Sequence, residues 1–366
     1  MTATGPGPWD SGPMELIDWV AARVPSDLVH LDVAACGRTS TQVLEAQTAH
    51  LRAEAVSGGY VAAAAADATI DAGRAALAGH VGLTGDDLCF VEGAGEAFRV
   101  LLEVWTLPPG SRIGCTTGEY GANARLLRRL AAQRGWELVL LPVDGQGRVL
   151  DVPPGLDLVT FPHVASQRGA EQPVAAVLAS GVRLLLDVAQ SLGQVPVPAG
   201  CAAYVGTSRT WLCGPRGVGF AVAGPQVQEQ LAEAPTLAPS LAVGMQRWES
   251  QEAHVAGRVG LAVAAQEWSP AVGQAAVGPA AHARQVLADV PGWTVVEDLA
   301  APTALTTLIG GDPVATRARL LAQGLLVSAV PVSRADDLDR PVLRVSTAAW
   351  VRPVHLEQLA AALSHR

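Results

Sequence analysis

Two short runs decide the fold: LLLDVAQSLG at residues 184–193 and GTSRTWLCGPRGVGF at residues 206–220. The first is an apolar strand that stops on Asp187, with Gln190 three residues further on. A buried strand entering a loop in this way delivers both side chains to the carboxyl end of a sheet, where open α/β folds bind their ligands. The second run offers Thr207, Ser208 and Arg209 as anion donors and then a Gly-Pro-Arg-Gly turn.

Upstream of these runs, strand and helix patterns alternate from about Asp86. Buried strands are expected at residues 88–91, 112–116, 136–143, 156–161 and 183–187, with helices at 93–105, 119–135 and 171–181 between them. Such alternation predicts a mostly parallel sheet with right-handed crossovers. The Ala-rich segment at 60–82 reads as a packed helix whose solvated face carries Asp67, Asp71 and Arg74. Apolar residues at helical spacing predict an N-terminal helix at 14–24, and the run after it a short strand ending at Gly37 and a helix capped near Ser40.

Composition narrows the class. The chain has 366 residues, 49% hydrophobic and 16% charged, which implies a well-buried core and room for one large and one smaller domain. A net charge of −9 argues against a nucleic-acid partner, because phosphate binding needs a basic face. With no apolar run of 18 residues, a membrane span is not expected. Residues 1–12 lack the basic and apolar regions of a secretory signal. The five cysteines are scattered, odd in number and without C-x-x-C spacing, which suits reduced cytoplasmic thiols and neither disulfides nor a metal site. All 25 basic residues are arginine; the chain has no lysine.

The patterns D-V-A-Q-S at 187–191 and T-S-R-x-W-L-x-G-P-R-G at 207–217 resemble the cofactor floor of the class V aminotransferases, pyridoxal 5′-phosphate (PLP) enzymes of fold type I. The resemblance runs from LDVAACG to VLRVSTAAWVRP, nearly the whole chain. It implies an α/β fold in which residues 25–245 form a large PLP-binding domain with a mostly parallel sheet. Residues 1–24 and 246–366 would form a smaller α+β domain, with a long helix near 249–268 and strands at 293–297, 305–309, 325–332 and 342–347.

PLP asks a protein for a carboxylate at its ring nitrogen, a phosphate cup, a stacking group and an amine for its aldehyde. The resemblance assigns the carboxylate to Asp187, although an Asp after a strand is also a common helix cap. Gln190 would donate to the ring's phenolic oxygen. Gly93, Ala94 and Gly95 follow a strand and open a helix, where backbone N–H groups can cradle a phosphate; Ser208 and Arg209 would share that charge. Tyr120 would stack on the ring, and His163 and Ser166 would lie at the strand end beneath it. Arg344 would clamp a substrate carboxylate with its planar fork, unless it sits in a surface ion pair. Tyr60 and Glu252 are candidates for the distal substrate pocket. The amine is missing, because Thr210 occupies the position of the Schiff-base lysine.

The segment W-E-S-Q-E-A-H-V-A and the Arg-rich composition bring the chain nearest to the family's carbon–sulfur lyases of ergothioneine biosynthesis. That implies cleavage of a cysteine conjugate sulfoxide to a sulfenate (reduced to the thiol), pyruvate and ammonia, in a homodimer. A cysteine desulfurase would need a mobile nucleophilic cysteine late in the chain, and none follows Cys213. Kynureninase-like and epimerase activities share the same floor and stay open. So does a non-catalytic PLP-fold binding protein, whose support is Thr210. The otherwise intact floor argues for a recent or engineered replacement of the lysine, which leaves an impaired enzyme.

Overall fold

The computed structural model describes residues 13–233 and 244–365. The reading of residues 1–12 lies outside them. Seven short runs form the main sheet: Leu88–Val91 (β1), Arg112–Cys115 (β2), Glu137–Leu140 (β3), Leu158–Pro162 (β4), Leu184–Asp187 (β5), Ala203–Thr207 (β6) and Gly219–Ala223 (β7). Their order is β1-β7-β6-β5-β4-β2-β3. Strands β2 to β6 are parallel, and β7 runs antiparallel to both β6 and β1.

Most of these strands are apolar throughout because both faces of the sheet are covered. Phe90, Val159, Phe161, Leu186 and Phe220 point into a core shared with the helices Thr41–Ser57, Gly59–Gly79 and Val255–Glu267. Their strand neighbours Cys89, Val91, Leu158, Leu185 and Ala221 point the other way, against the helices Ala94–Val104 and Gly121–Arg134. Full burial of each Leu or Phe stabilises by about 1.5–3 kcal/mol, so the strand ends are held on a stiff frame.

Register then fixes where a ligand can sit. Asp187 lies opposite Pro162 on one side and Val205 on the other. Gly219, at the start of β7, lies opposite both Thr207 and Val91. One edge of the sheet therefore gathers the ends of β1, β4, β5 and β6, and the antiparallel β7 begins there.

A second sheet comprises Trp293–Val295 (β8), Leu305–Gly310 (β9), Ser328–Val330 (β10) and Val342–Ser346 (β11), antiparallel in the order β10-β11-β9-β8. Its core takes in Trp19 and Leu31 from early in the chain, with Leu305, Leu343 and Val345. The single strand expected at 325–332 is instead two pieces. Leu325–Leu326 pairs with Val29–His30, residues 328–330 join β11, and Pro331 then begins a short helical turn, having no N–H to extend a ladder. The early strand is correspondingly short, and the N-terminal helix covers only Leu16–Ala21. The long helix expected from 249 begins at Val255. Among the described residues, no helix is long and apolar enough to cross a membrane.

Candidate functional site

A cavity of about 450 Å³ opens at the gathered strand ends. Gly93, Ala94, Gly95, Tyr120, Ser166, Asp187, Gln190, Thr207 and Arg209 line it, together with Glu92, Arg216 and Arg334. Gly93 caps the helix Ala94–Val104, and a Cβ placed on it would meet no protein atom within 4 Å. Packing therefore does not require that glycine; its bareness leaves space for a ligand at a positive helix terminus. Gly219 does answer to packing, because a Cβ there would lie 2.6 Å from the Cα of Gly93. That contact holds the 207–219 loop, with Arg209 and Arg216, beside the glycine turn.

Asp187 forms the bottom of the cavity. Its carboxylate accepts hydrogen bonds from the N–H of Ala189 at 2.8 Å and from Nδ2 of Asn123 at 3.2 Å, and it pairs with no cation among the described residues. Burial pushes it up to about 6, against the pull of those two donors. Asn123 also donates to Glu119 at 3.2 Å. Burial, with the nearby charge of Asp187, pushes Glu119 up to about 8. Two more buried acceptors on the walls are without hydrogen-bond partners, Oε1 of Gln190 and Oγ of Ser166.

Three of the four demands of PLP are thus answered by residues present. The cavity has a buried carboxylate lacking a cation, a glycine cradle flanked by guanidiniums, and a half-buried Tyr120 at its side. The fourth is not answered. Thr210 is 1% exposed and does not line the cavity; its hydroxyl donates to the carbonyl of Ala189 at 2.9 Å.

Several expected positions lie elsewhere, for local reasons. Side chains alternate along an extended chain, so Thr207 and Arg209 face the cavity while Ser208 is turned towards Gly214. By the same alternation Pro162 and Val164 line it, whereas His163 is buried with Nε2 3.2 Å from Glu171. Arg344 is 2% exposed and already engaged, donating to the carbonyl of Ser166 at 2.7 Å and lying 3.4 Å from Asp32. It stands behind the wall and is not a free clamp. Tyr60, 84% exposed, and Glu252, also exposed, are not on the cavity wall.

Sequence reasoning assigned no role to Arg216, Arg334, Glu119 or Asn123. Arg216 was visible in its Gly-Pro-Arg-Gly turn, and the Glu119/Asn123 spacing of four residues could have flagged a pair. Arg334 gave no signal.

The comparisons agree with this geometry. The profile "Aminotransferase class-V" matches residues 29–260. The chain is 42% identical over 355 residues to the "Probable hercynylcysteine sulfoxide lyase" of Mycobacterium tuberculosis (strain CDC 1551 / Oshkosh), covering 90% of this chain and 87% of that one. In structure it is similar to a lysine-to-alanine mutant of C-DES with glycine covalently linked to its PLP cofactor (TM-score 0.83, 19% identity, 93% of this chain and 97% of that). It is also similar to the apo cysteine desulfurase of Thermococcus onnurineus NA1 (TM-score 0.83, 17% identity, 96% and 98%). At those identities the two structures speak to the fold alone: a fold type I α/β architecture. With strand order, strand-end cavity and sequence match in accord, the chain belongs to the class V aminotransferase family.

Proposed function

We propose that this chain is a PLP-binding carbon–sulfur lyase of cysteine conjugates, with a sulfoxide of the ergothioneine pathway as its reactant, and that it turns over slowly or not at all as it stands. The observation that carries the reading is the cavity itself: an unpaired buried Asp187 opposite a glycine cradle and guanidiniums, in a chain 42% identical to a protein so named. When bound, PLP supplies an aldehyde that condenses with amines and a protonated ring that draws electrons from a breaking bond.

The chain's own residues would do the rest. Asp187 would hold a proton on the ring nitrogen, Gly93–Gly95 with Arg209 and Arg216 would take the phosphate, and Tyr120 would cover the ring. Gln190 would give the phenolic oxygen its second Nε2 hydrogen, the first being donated to the carbonyl of Ala34 at 3.0 Å. Arg344, held by Asp32 and the carbonyl of Ser166, braces the wall from behind. None of the five cysteines lines the cavity, which speaks against desulfurase chemistry.

What is lacking is an amine to anchor the cofactor and a base for the α-proton. Losing general acid–base help costs on the order of 10²–10⁴ in rate. A second reading, a non-catalytic cofactor-binding protein, is favoured by the committed hydroxyl of Thr210. The substitution Thr210→Lys separates the two. With PLP and cysteine conjugates, the parent chain should take up cofactor that dialysis removes, and the lysine variant should retain it and release pyruvate. A lysine variant that loads cofactor yet yields no pyruvate would leave only the binding role. Equal rates from both chains would place the base elsewhere.

The same reading makes the protein a cytoplasmic homodimer, each site completed by residues 247–254 of its neighbour. The exposed Leu44, Leu51, Val56, Tyr60 and Val61 support an interface on the helices Thr41–Ser57 and Gly59–Gly79. Sedimentation as a monomer at micromolar concentration would count against it.

A further inference from the structure

We propose that Glu119 is a positioning residue of the cavity floor: tied to Asp187 through the amide of Asn123, it carries a proton while the cavity is empty and releases it when a cationic ring settles on Asp187. The inference rests on the cofactor reading above and concerns a residue that does not itself line the cavity.

The geometry is a pair of carboxyls bridged by one amide. Nδ2 of Asn123 donates one hydrogen to Oε1 of Glu119 and the other to Oδ2 of Asp187, each at 3.2 Å. All three side chains are buried. Neither carboxyl has a cation beside it among the described residues. With both ionised, two unpaired charges would share one buried amide, and two carboxyls so placed keep one proton between them.

The surroundings decide which of the two keeps it. Asp187 has a second donor, the N–H of Ala189 at 2.8 Å, and opens onto the cavity. Oε1 of Glu119 accepts from the N–H of Tyr120 at 2.7 Å, while Oε2 is buried without a partner. An unpartnered oxygen costs less as a neutral O–H than as half of an anion. Burial, with the charge of Asp187, accordingly pushes Glu119 up to about 8, and burial pushes Asp187 only to about 6. The thiol of Cys115 on β2 also faces Glu119 and is neutral, because burial pushes it up to about 11. Arg125, Arg128 and Arg129, on the helix that carries Asn123, are exposed. Glu92, Arg209, Arg216 and Arg334 stand with Asp187 on the cavity walls. A cation on Asp187 removes the repulsion that helps to hold the proton on Glu119, so that carboxyl ionises more readily and its proton leaves to solvent.

The test counts protons. PLP binding is titrated at pH 7.5 by calorimetry, in two buffers of different ionisation heat, after absorbance has verified uptake. The parent chain is compared with Glu119→Gln, which keeps an acceptor for Tyr120 and Asn123 and cannot titrate; protons that belong to PLP cancel between the two. Ionisation made tenfold easier takes a carboxyl near 8 from mostly protonated to mostly ionised at this pH, so the parent should release about half a proton more than the variant. A merely structural Glu119 would give equal counts, and equal counts overturn the proposal while the cofactor reading stands. A second measurement needs no variant. In the parent with isotope-labelled glutamates, the infrared band of protonated carboxyl should be present in the empty protein and weaken when PLP is bound. A band of unchanged strength, or none before loading, overturns the proposal as well. Failure to take up PLP overturns both.

Discussion

The floor of the cavity is made by strand ends, and its roof by a loop that arrives from the far end of the chain. On the floor, Asp187, Gln190, Thr207 and Arg209 belong to two adjacent strands and the turns that follow them. Their positions follow from β-sheet register, and the apolar cores on both faces hold that register. The roof, residues 331–337, has a single helical turn and no strand; hydrogen bonds and ion pairs to Thr117, Arg128, Gln167 and Arg168 keep it in place. The comparison teaches that the cavity is rigid for two different reasons. Packing fixes the part that would face the cofactor, and electrostatics fixes the part that would face the substrate.

Each half can be broken separately. The largest effect is expected at Asp187. Changing it to Asn removes a buried charge that has no cation of its own, so the cofactor-free protein should be as stable as the parent or more so. Its affinity for PLP should nevertheless fall on the order of 100-fold, the loss of one charge-assisted hydrogen bond. Thermal melts and absorbance titrations measure the two quantities. A lower melting temperature with unchanged affinity would make Asp187 a structural residue and undo the assignment of the floor.

Next comes the roof. In Asp337→Ala, Arg168 loses its carboxylate and Gln167 keeps only the carbonyl of Gly118, so the loop loses two of its side-chain ties. Affinity for a cysteine conjugate should drop on the order of tenfold, because the loop must then be ordered at the ligand's expense. Affinity for PLP should change far less. If both fall together, roof and floor are one unit and the contrast between them fails.

The same contrast explains what the sequence could disclose. D-V-A-Q-S and T-S-R are legible because the residues that meet in space are neighbours in the chain and their elements are local. The strand–helix alternation likewise implies a parallel sheet. It does not reveal that β7 turns back antiparallel between β6 and β1, because a five-residue apolar run carries no direction. Ser208 and His163 show the next limit, since a motif names a segment and only the local backbone decides which side chain faces inward. For Arg344 the sequence leaves a carboxylate clamp and an ion pair both open, and only the three-dimensional contacts show Asp32 and the carbonyl of Ser166 engaging it, in the core and not at the surface. Arg334 could not be found at all. Its place depends on the pairs that bring residues 331–337 over Tyr120, and those partners lie more than 160 positions away.

The smallest effect tests the joint between floor and helix. Glu119 accepts from the N–H of Tyr120 at 2.7 Å and from Asn123, while its Oε2 is buried without a partner. Burial and the neighbouring Asp187 push its folded-state value up to about 8, whereas an unfolded chain has a glutamate near 4.3. The native state therefore keeps a proton that the unfolded state has released. Stability from this group is greatest at low pH and is lost as pH rises through the folded value. Between pH 7 and pH 9 the loss should be on the order of 1 kcal/mol, a degree or two in melting temperature for a chain of this size. Glu119→Gln keeps the shape and cannot titrate, so its melting temperature should fall less over that interval. Asp187 titrates with the same sign in both proteins, and the difference between their pH profiles isolates Glu119. Identical profiles would mean that the carboxyl is already ionised at pH 7. The Glu119–Asn123–Asp187 chain would then carry two charges, and Asn123 would be what holds them together.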